Sequence, residues 1–168
     1  MIRSLDGKSP KVHETAFISE AAYVVGDVEI GPYSSVWPGA VIRADMGKTV
    51  IGAYTNIQDN CLVHGDADVH IGDHVTLGHS VTCHAARIGD YCLIGNGAVL
   101  NDGVEVGDNA IVASGAMVLE RKQVPSGSFA VGVPAEVKGR LMERHQEMVR
   151  HTAESYVKKG QRYKANGL

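Results

Sequence analysis

The stretch I-G-D-Y-C-L-I-G-N-G-A-V-L-N-D-G-V-E-V-G-D-N-A-I-V-A-S-G-A-M-V-L-E-R-K-Q-V, residues 88–124, returns to an aliphatic residue every six positions: Ile88, Ile94, Leu100, Val106, Val112, Val118 and Val124. A helix needs apolar spacings of three and four, whereas an interval of six fits even-period strands interrupted by turns. Upstream the interval recurs at Ile71, Leu77 and Cys83, at Ile51, Ile57 and Val63, and at Ile18, Val24, Ile30, Val36 and Ile42. Of these eighteen hexads only the one opened by Cys83 departs from Ile, Leu or Val. The next residue is often glycine, and the fifth is small or β-branched, as in Ala22, Ser34, Ala40, Thr55, Cys61 and Ala98.

Such a repeat resembles the left-handed parallel β-helix, a triangular prism with one hexad per face and three per coil. The expected fold is therefore all-β, a β-helix of about six coils, with the first and fifth places filling the interior. Stacked coils cover one another's edges, as in other solenoids. The register breaks three times, across Met46–Thr49, across Gly65–Asp68, and between Cys83 and Ile88, which is one residue short. Insertions in a solenoid gather on its working face. Past Val124, Pro125, Gly127, Gly132 and Pro134 mark an exit loop. From about Arg140 to Gly160 the pattern turns helical, with one stripe of Leu141, His145, Met148 and Thr152 and another of Met142, Val149, Tyr156 and Tyr163. The organisation read from this is a lead-in over 1–17, the β-helix over 18–135 and a C-terminal helix and tail over 136–168.

A formal net charge of −3 and the absence of a basic block argue against nucleic acid or an anionic membrane as partner. No apolar run reaches spanning length, and the first residues lack a signal-peptide core, so a cytoplasmic location is expected. Cys61, Cys83 and Cys92 fall at inward places and are expected to be reduced core thiols rather than ligands.

The register sets where the histidines point. His64 and His84 hold the second place of hexads one coil apart, so they lie one above the other on one face, about 4.8 Å apart. Arg43 occupies the same column one coil below. His79 holds a third place on the neighbouring face, above Asp59, with Gln58 beside it. Neighbouring faces of a triangular prism diverge by roughly 120°, so one chain brings His79 to the pair only around a corner, whereas two chains side by side bring it there directly. The expectation is a homotrimer, with His64 and His84 from one chain and His79 from the next. His13, His70, His74, His145 and His151 read as surface or hydrogen-bonded residues.

V-I-R-A-D (41–45), N-I-Q-D-N (56–60), His64 and G-H-S-V-T-C-H (78–84) together resemble the γ-class carbonic anhydrase family, which includes ferripyochelin-binding-like proteins. The resemblance implies that His64, His79 and His84 are metal ligands shared across a trimer interface. It implies that Arg43 and Asp45 form a structural and catalytic pair and that Arg43 reaches Asp59 across the subunit contact. Gln58 matches the residue that hydrogen-bonds the metal-bound water, and Tyr156 matches a tail tyrosine near the metal. Two departures stand out: Met46 replaces a glutamate, and only Gly65–Asp68 stands where the archetype has a long acidic loop. There Asp66 and Asp68 are either proton relays or solvated charges.

Three histidines leave a position open on the ion, the catalytic pattern. The implied reaction is reversible hydration of carbon dioxide to bicarbonate by hydroxide formed on Zn²⁺, with Fe²⁺ or Co²⁺ suiting imidazole equally. Three other readings stay open: an acyl-coenzyme A-dependent hexapeptide acyltransferase, an ester or thioester hydrolase, and a metal-binding structural subunit with little anhydrase activity.

Overall fold

The computed structural model describes residues 1–168. The hexads become short parallel strands stacked on three faces of a left-handed solenoid of about seven turns. Face 1 runs from Phe17–Ile18 through Asn56–Ile57 and Thr76–Leu77 to Ser128–Val131. Face 2 stacks the first halves of Tyr23–Ile30 and Val41–Ile51, then Leu62–His64, Thr82–Cys83, Val99–Leu100 and Met117–Val118. Face 3 stacks the second halves of the same two long strands, then Val69–Ile71, Arg87–Ile88, Glu105–Val106 and Gln123–Val124. Below Ile18, Ile2–Arg3 and Lys11–Val12 pair with Tyr23–Ile30. Ser128–Val131 adds a rung on top, so the six coils counted from hexads grow to about seven.

Every first-place residue from Val24 to Val124 is buried, within one continuous core of 33 residues. The small fifth places fit where the coil narrows, and their polar atoms find carbonyl acceptors. Ser34 donates to Gly52 O at 2.6 Å, Thr55 to Gly72 O at 2.8 Å and the Cys61 thiol to Gly78 O at 2.9 Å. All three cysteines are free and buried. Desolvation pushes Cys61 and Cys92 up to about 12 and Cys83 to about 11. At the corner between faces 3 and 1, Tyr33, Tyr54, His74 and Tyr91 form a column of stacked rings, with centroids 5.3, 4.8 and 4.5 Å apart in turn. His74 is thus a stacking residue rather than a free surface imidazole.

The first two register breaks build a platform. Ala44 pairs with Gly26 and Thr49 with Val28, so Asp45–Lys48 bulges out opposite Asp27. Gly65–Asp68 lies directly on this bulge: Lys48 N–H donates to Asp68 Oδ1 at 2.8 Å, and a Cβ on Gly47 would stand 2.3 Å from the Ala67 carbonyl carbon. Only glycine permits that approach.

Where the sequence shows an exit loop, Ser128–Val131 pairs antiparallel with Glu136–Arg140. The helix α1, Glu143–Ala165, then runs back down face 1. Gln161 donates to Thr15 O at 2.8 Å and Lys164 to Ala16 O at 2.9 Å, fixing its far end at the first coils. Its packed stripe is Val149, Ala153, Tyr156, Gly160 and Tyr163, with Trp37 and Phe17 beneath. Of the stripe expected from Leu141, His145, Met148 and Thr152 none is buried: three are half-buried and Met148 is 46% exposed, as Met142 of the other stripe also is, at 53%. The seven-residue pattern through Val149, Tyr156 and Tyr163 describes the buried side because aromatic rings reach the face and Met148 points past it.

Candidate metal centre

Face 2 delivers the histidines. Arg43 is in register with His64, and Thr82–Cys83 pair with Leu62–Val63, which sets His84 beside His64 on the next coil. His64 Nδ1 lies 2.8 Å from His84 Nε2. The platform supplies Asp45, whose Oδ1 is 2.9 Å from His64 Nε2 while Oδ2 accepts from Arg43. Arg43 holds the Asp45 carboxyl below the usual carboxylate range, with His64 helping and partial desolvation opposing. On the other side Asp102 Oδ1 is 2.6 Å from His84 Nδ1. The result is one hydrogen-bonded line, Arg43, Asp45, His64 and His84, with Asp102 in ion-pair contact at its end. The Asp45 carboxylate accepts, so His64 Nε2 is the donor to it. His64 Nδ1 and His84 Nε2 then face each other, and an ion would stand between them.

Asp66 completes the cluster. One ligand atom each from His64, Asp66 and His84 all lie within 4.8 Å of one another. Two imidazoles and a carboxylate suit a divalent ion. Two nitrogens bound tetrahedrally at about 2.0–2.1 Å sit roughly 3.3 Å apart, so the pair need open by only about half an ångström. The donor set fits a metal and does not choose zinc over iron or cobalt. The sequence left Asp66 as relay or solvated charge; the register break at Gly65–Asp68 was the signal that its loop belongs to the site.

The other expected residues gather elsewhere. His79 lies outside the cluster, with Nδ1 3.0 Å from Asp59 Oδ2. Gln58 is buried and donates through Nε2 to Asn56 Oδ1 at 2.9 Å. Tyr156 on α1 packs edge-on against Trp37 with ring centroids 5.4 Å apart, and burial, then the Asp59 charge, push its phenol up. Within the chain Arg43 bonds Asp45 and not Asp59. The expected constellation is therefore divided. Arg43, Asp45, His64 and His84 meet on face 2, while Gln58 and the Asp59–His79 pair belong to face 1, on which α1 lays Tyr156. Asp102 was missed because the count by sixes sets Asn101 above His84 and leaves Asp102 in the turn that follows.

Residues 85–120 match the family model described as bacterial transferase hexapeptide (six repeats). A carbonic anhydrase of Geobacillus kaustophilus is 39% identical over 167 residues, covering 98% of this chain and 92% of that protein. The chain belongs to the hexapeptide-repeat, ferripyochelin-binding-like superfamily. That superfamily includes both γ-carbonic-anhydrase-like proteins and acetyltransferases. Mitochondrial γ carbonic anhydrase 1 of Arabidopsis thaliana is 40% identical over 94% of the chain, which spans 60% of that relative's length. The crystal structure of a hexapeptide transferase family protein from Anaplasma phagocytophilum superposes with a TM-score of 0.93 at 36% identity, covering 96% of this chain and 97% of that one. Within this superfamily, the fold and the His64–Asp66–His84 cluster are compatible with either anhydrase-like metal chemistry or coenzyme A-dependent acyl transfer.

Proposed function

We propose that this chain is a metal-dependent protein of the γ-carbonic-anhydrase type, whose reaction is reversible hydration of carbon dioxide. The convergence of His64, Asp66 and His84 carries this reading. A bound divalent ion, Zn²⁺ in the first instance, supplies a Lewis acid that lowers the pKa of coordinated water toward 7.

The protein's own groups do the rest. Arg43 anchors Asp45, and Asp45 fixes His64 through Nε2. Asp66 and Asp68 bring acidic oxygens to the rim of a recess bounded by His84 and Asp102. Gln58 spends its Nε2 on Asn56, which leaves Oε1 to accept from a water and orient it.

The divided constellation calls for a second copy of the chain. Face 1 is covered by α1, and face 3 presents Glu29, His70, Arg87, Glu105 and Gln123. Face 2 instead presents Val41, Leu62, Val99 and Met117 alongside the histidine column. Tyr23, Leu62 and Leu119 there are 39, 38 and 45% exposed. An apolar strip of this kind fits another protomer, and a threefold ring brings Gln58, Asp59 and His79 of one chain to His64 and His84 of the next. Asp59 is then available to Arg43 across the contact.

Stopped-flow hydration of carbon dioxide with zinc- and iron-loaded protein, beside ester and thioester substrates, tests the reaction. No hydration above buffer with either metal removes the anhydrase reading. The second reading, acyl transfer, is favoured by the transferase repeat over 85–120 and by the Anaplasma structure. Calorimetric titration with acetyl-coenzyme A separates it: binding without metal supports acyl transfer.

A further inference from the structure

We infer that Asp102 is a positioning residue for His84, setting which ring nitrogen that histidine offers to the ion. This rests on the metal reading above and adds a residue to it. An imidazole side chain has a broad, roughly two-fold final torsion, so nothing intrinsic decides whether Nδ1 or Nε2 faces the cluster. Ligating histidines commonly settle this by donating the other ring N–H to a carboxylate. A carboxylate stands at that position here: Asp102 Oδ1 lies 2.6 Å from His84 Nδ1 as an ion-pair contact, while His84 Nε2 lies 2.8 Å from His64 Nδ1.

The carboxylate is held firmly enough for the task. Asp102 lies in the tight turn Asn101–Asp102–Gly103, where the chain leaves face 2. Asn101 Nδ2 donates to Val118 O at 2.8 Å, Arg121 N–H donates to Asp102 O at 2.8 Å, and Gly103 takes φ +65°. The turn is thus pinned to the coil above, and the side chain reaches down to the histidine. The Asp102 side chain is 58% exposed, so the pair adds little to stability. An exposed carboxylate on a fixed turn, set against the far nitrogen of a ligating imidazole, serves orientation rather than folding.

The test compares wild type with Asp102→Ala, Asp102→Asn and His84→Ala in the full-length protein. Zn²⁺ affinity is measured by chelator competition, the visible bands of the Co²⁺ form are recorded, and thermal melting is followed in parallel. Asp102→Ala is expected to lose about 10–100-fold in Zn²⁺ affinity and to alter the Co²⁺ bands, with an unchanged melting temperature. Asp102→Asn, which keeps an acceptor at Oδ1, is expected to recover most of both. Asp102→Ala with wild-type affinity and wild-type bands, beside a His84→Ala variant that loses the ion, overturns the inference alone. Wild-type protein that takes up neither ion overturns the metal reading together with it.

Discussion

His79 Nδ1 lies 3.0 Å from Asp59 Oδ2, between successive coils of face 1, and the histidine is 48% exposed. The His79 ring is open to solvent beside that carboxylate and lies outside the His64–Asp66–His84 cluster. His79→Ala is therefore expected to fold and assemble as wild type. If His79 is the ligand given to a neighbouring protomer, metal content should fall from about one ion per chain to near zero. Elemental analysis decides: full occupancy in that variant would leave His64, Asp66 and His84 as the complete donor set.

Leu62 sits mid-way up face 2 and two residues from His64, 38% exposed in the single chain. A charge there would be buried unpaired in a protomer contact. Leu62→Asp is expected to turn the assembly into monomers by light scattering, with an unchanged far-ultraviolet spectrum. A Leu62→Asp protein that keeps the wild-type mass would move the subunit contact off face 2.

Removing metal should not unfold the protein. The ligand side chains stand outside the prism, and the 33-residue core contains none of them. Small zinc domains collapse on chelation because the ion is their core. Here excess EDTA is expected to leave the strand signal of circular dichroism intact, and cooperative loss of that signal would contradict this account.

Gly26 has φ +89°, and a Cβ on it would stand 2.1 Å from the Ala44 carbonyl oxygen, next to Asp45. Both the backbone region and the clash penalise a side chain. Gly26→Ala should cost on the order of 3 kcal/mol or more in urea unfolding. Because Ala44 opens the bulge that carries Asp45, metal affinity should weaken in the same variant.

The cysteines provide a pH test. Burial raises Cys61 and Cys92 to about 12 and Cys83 to about 11, against an ordinary 9.0. At pH 8 all three remain neutral thiols, so a disulfide reagent should label them only after denaturation. Above pH 9 the unfolded chain loses thiol protons that the folded chain keeps. These groups therefore contribute stability that is full below pH 9 and declines as pH rises toward their folded values. Rapid labelling of native protein at pH 8 would contradict the inward placement.

Much was legible in the sequence because the prism has a strict period. Counting by sixes from residues 88–124 assigns each side chain a face, an inside or an outside and a coil, so the Arg43–His64–His84 column followed without coordinates. The same count separates His79 and Asp59 onto the next face. Periodicity is silent where it fails. Asp45 and Asp66 come from the two register breaks, and their positions depend on one excursion stacking on the other through Gly47 and Asp68. Asp102 reaches His84 because a turn pinned from the coil above aims it downward. Which stripe of α1 packs was decided by the reach of Tyr156 and Tyr163 onto Trp37 and Phe17. Repeating backbone geometry is a local property that sequence encodes one hexad at a time. The meeting of non-repeating segments is a property of the stacked coils, and only the folded chain specifies it.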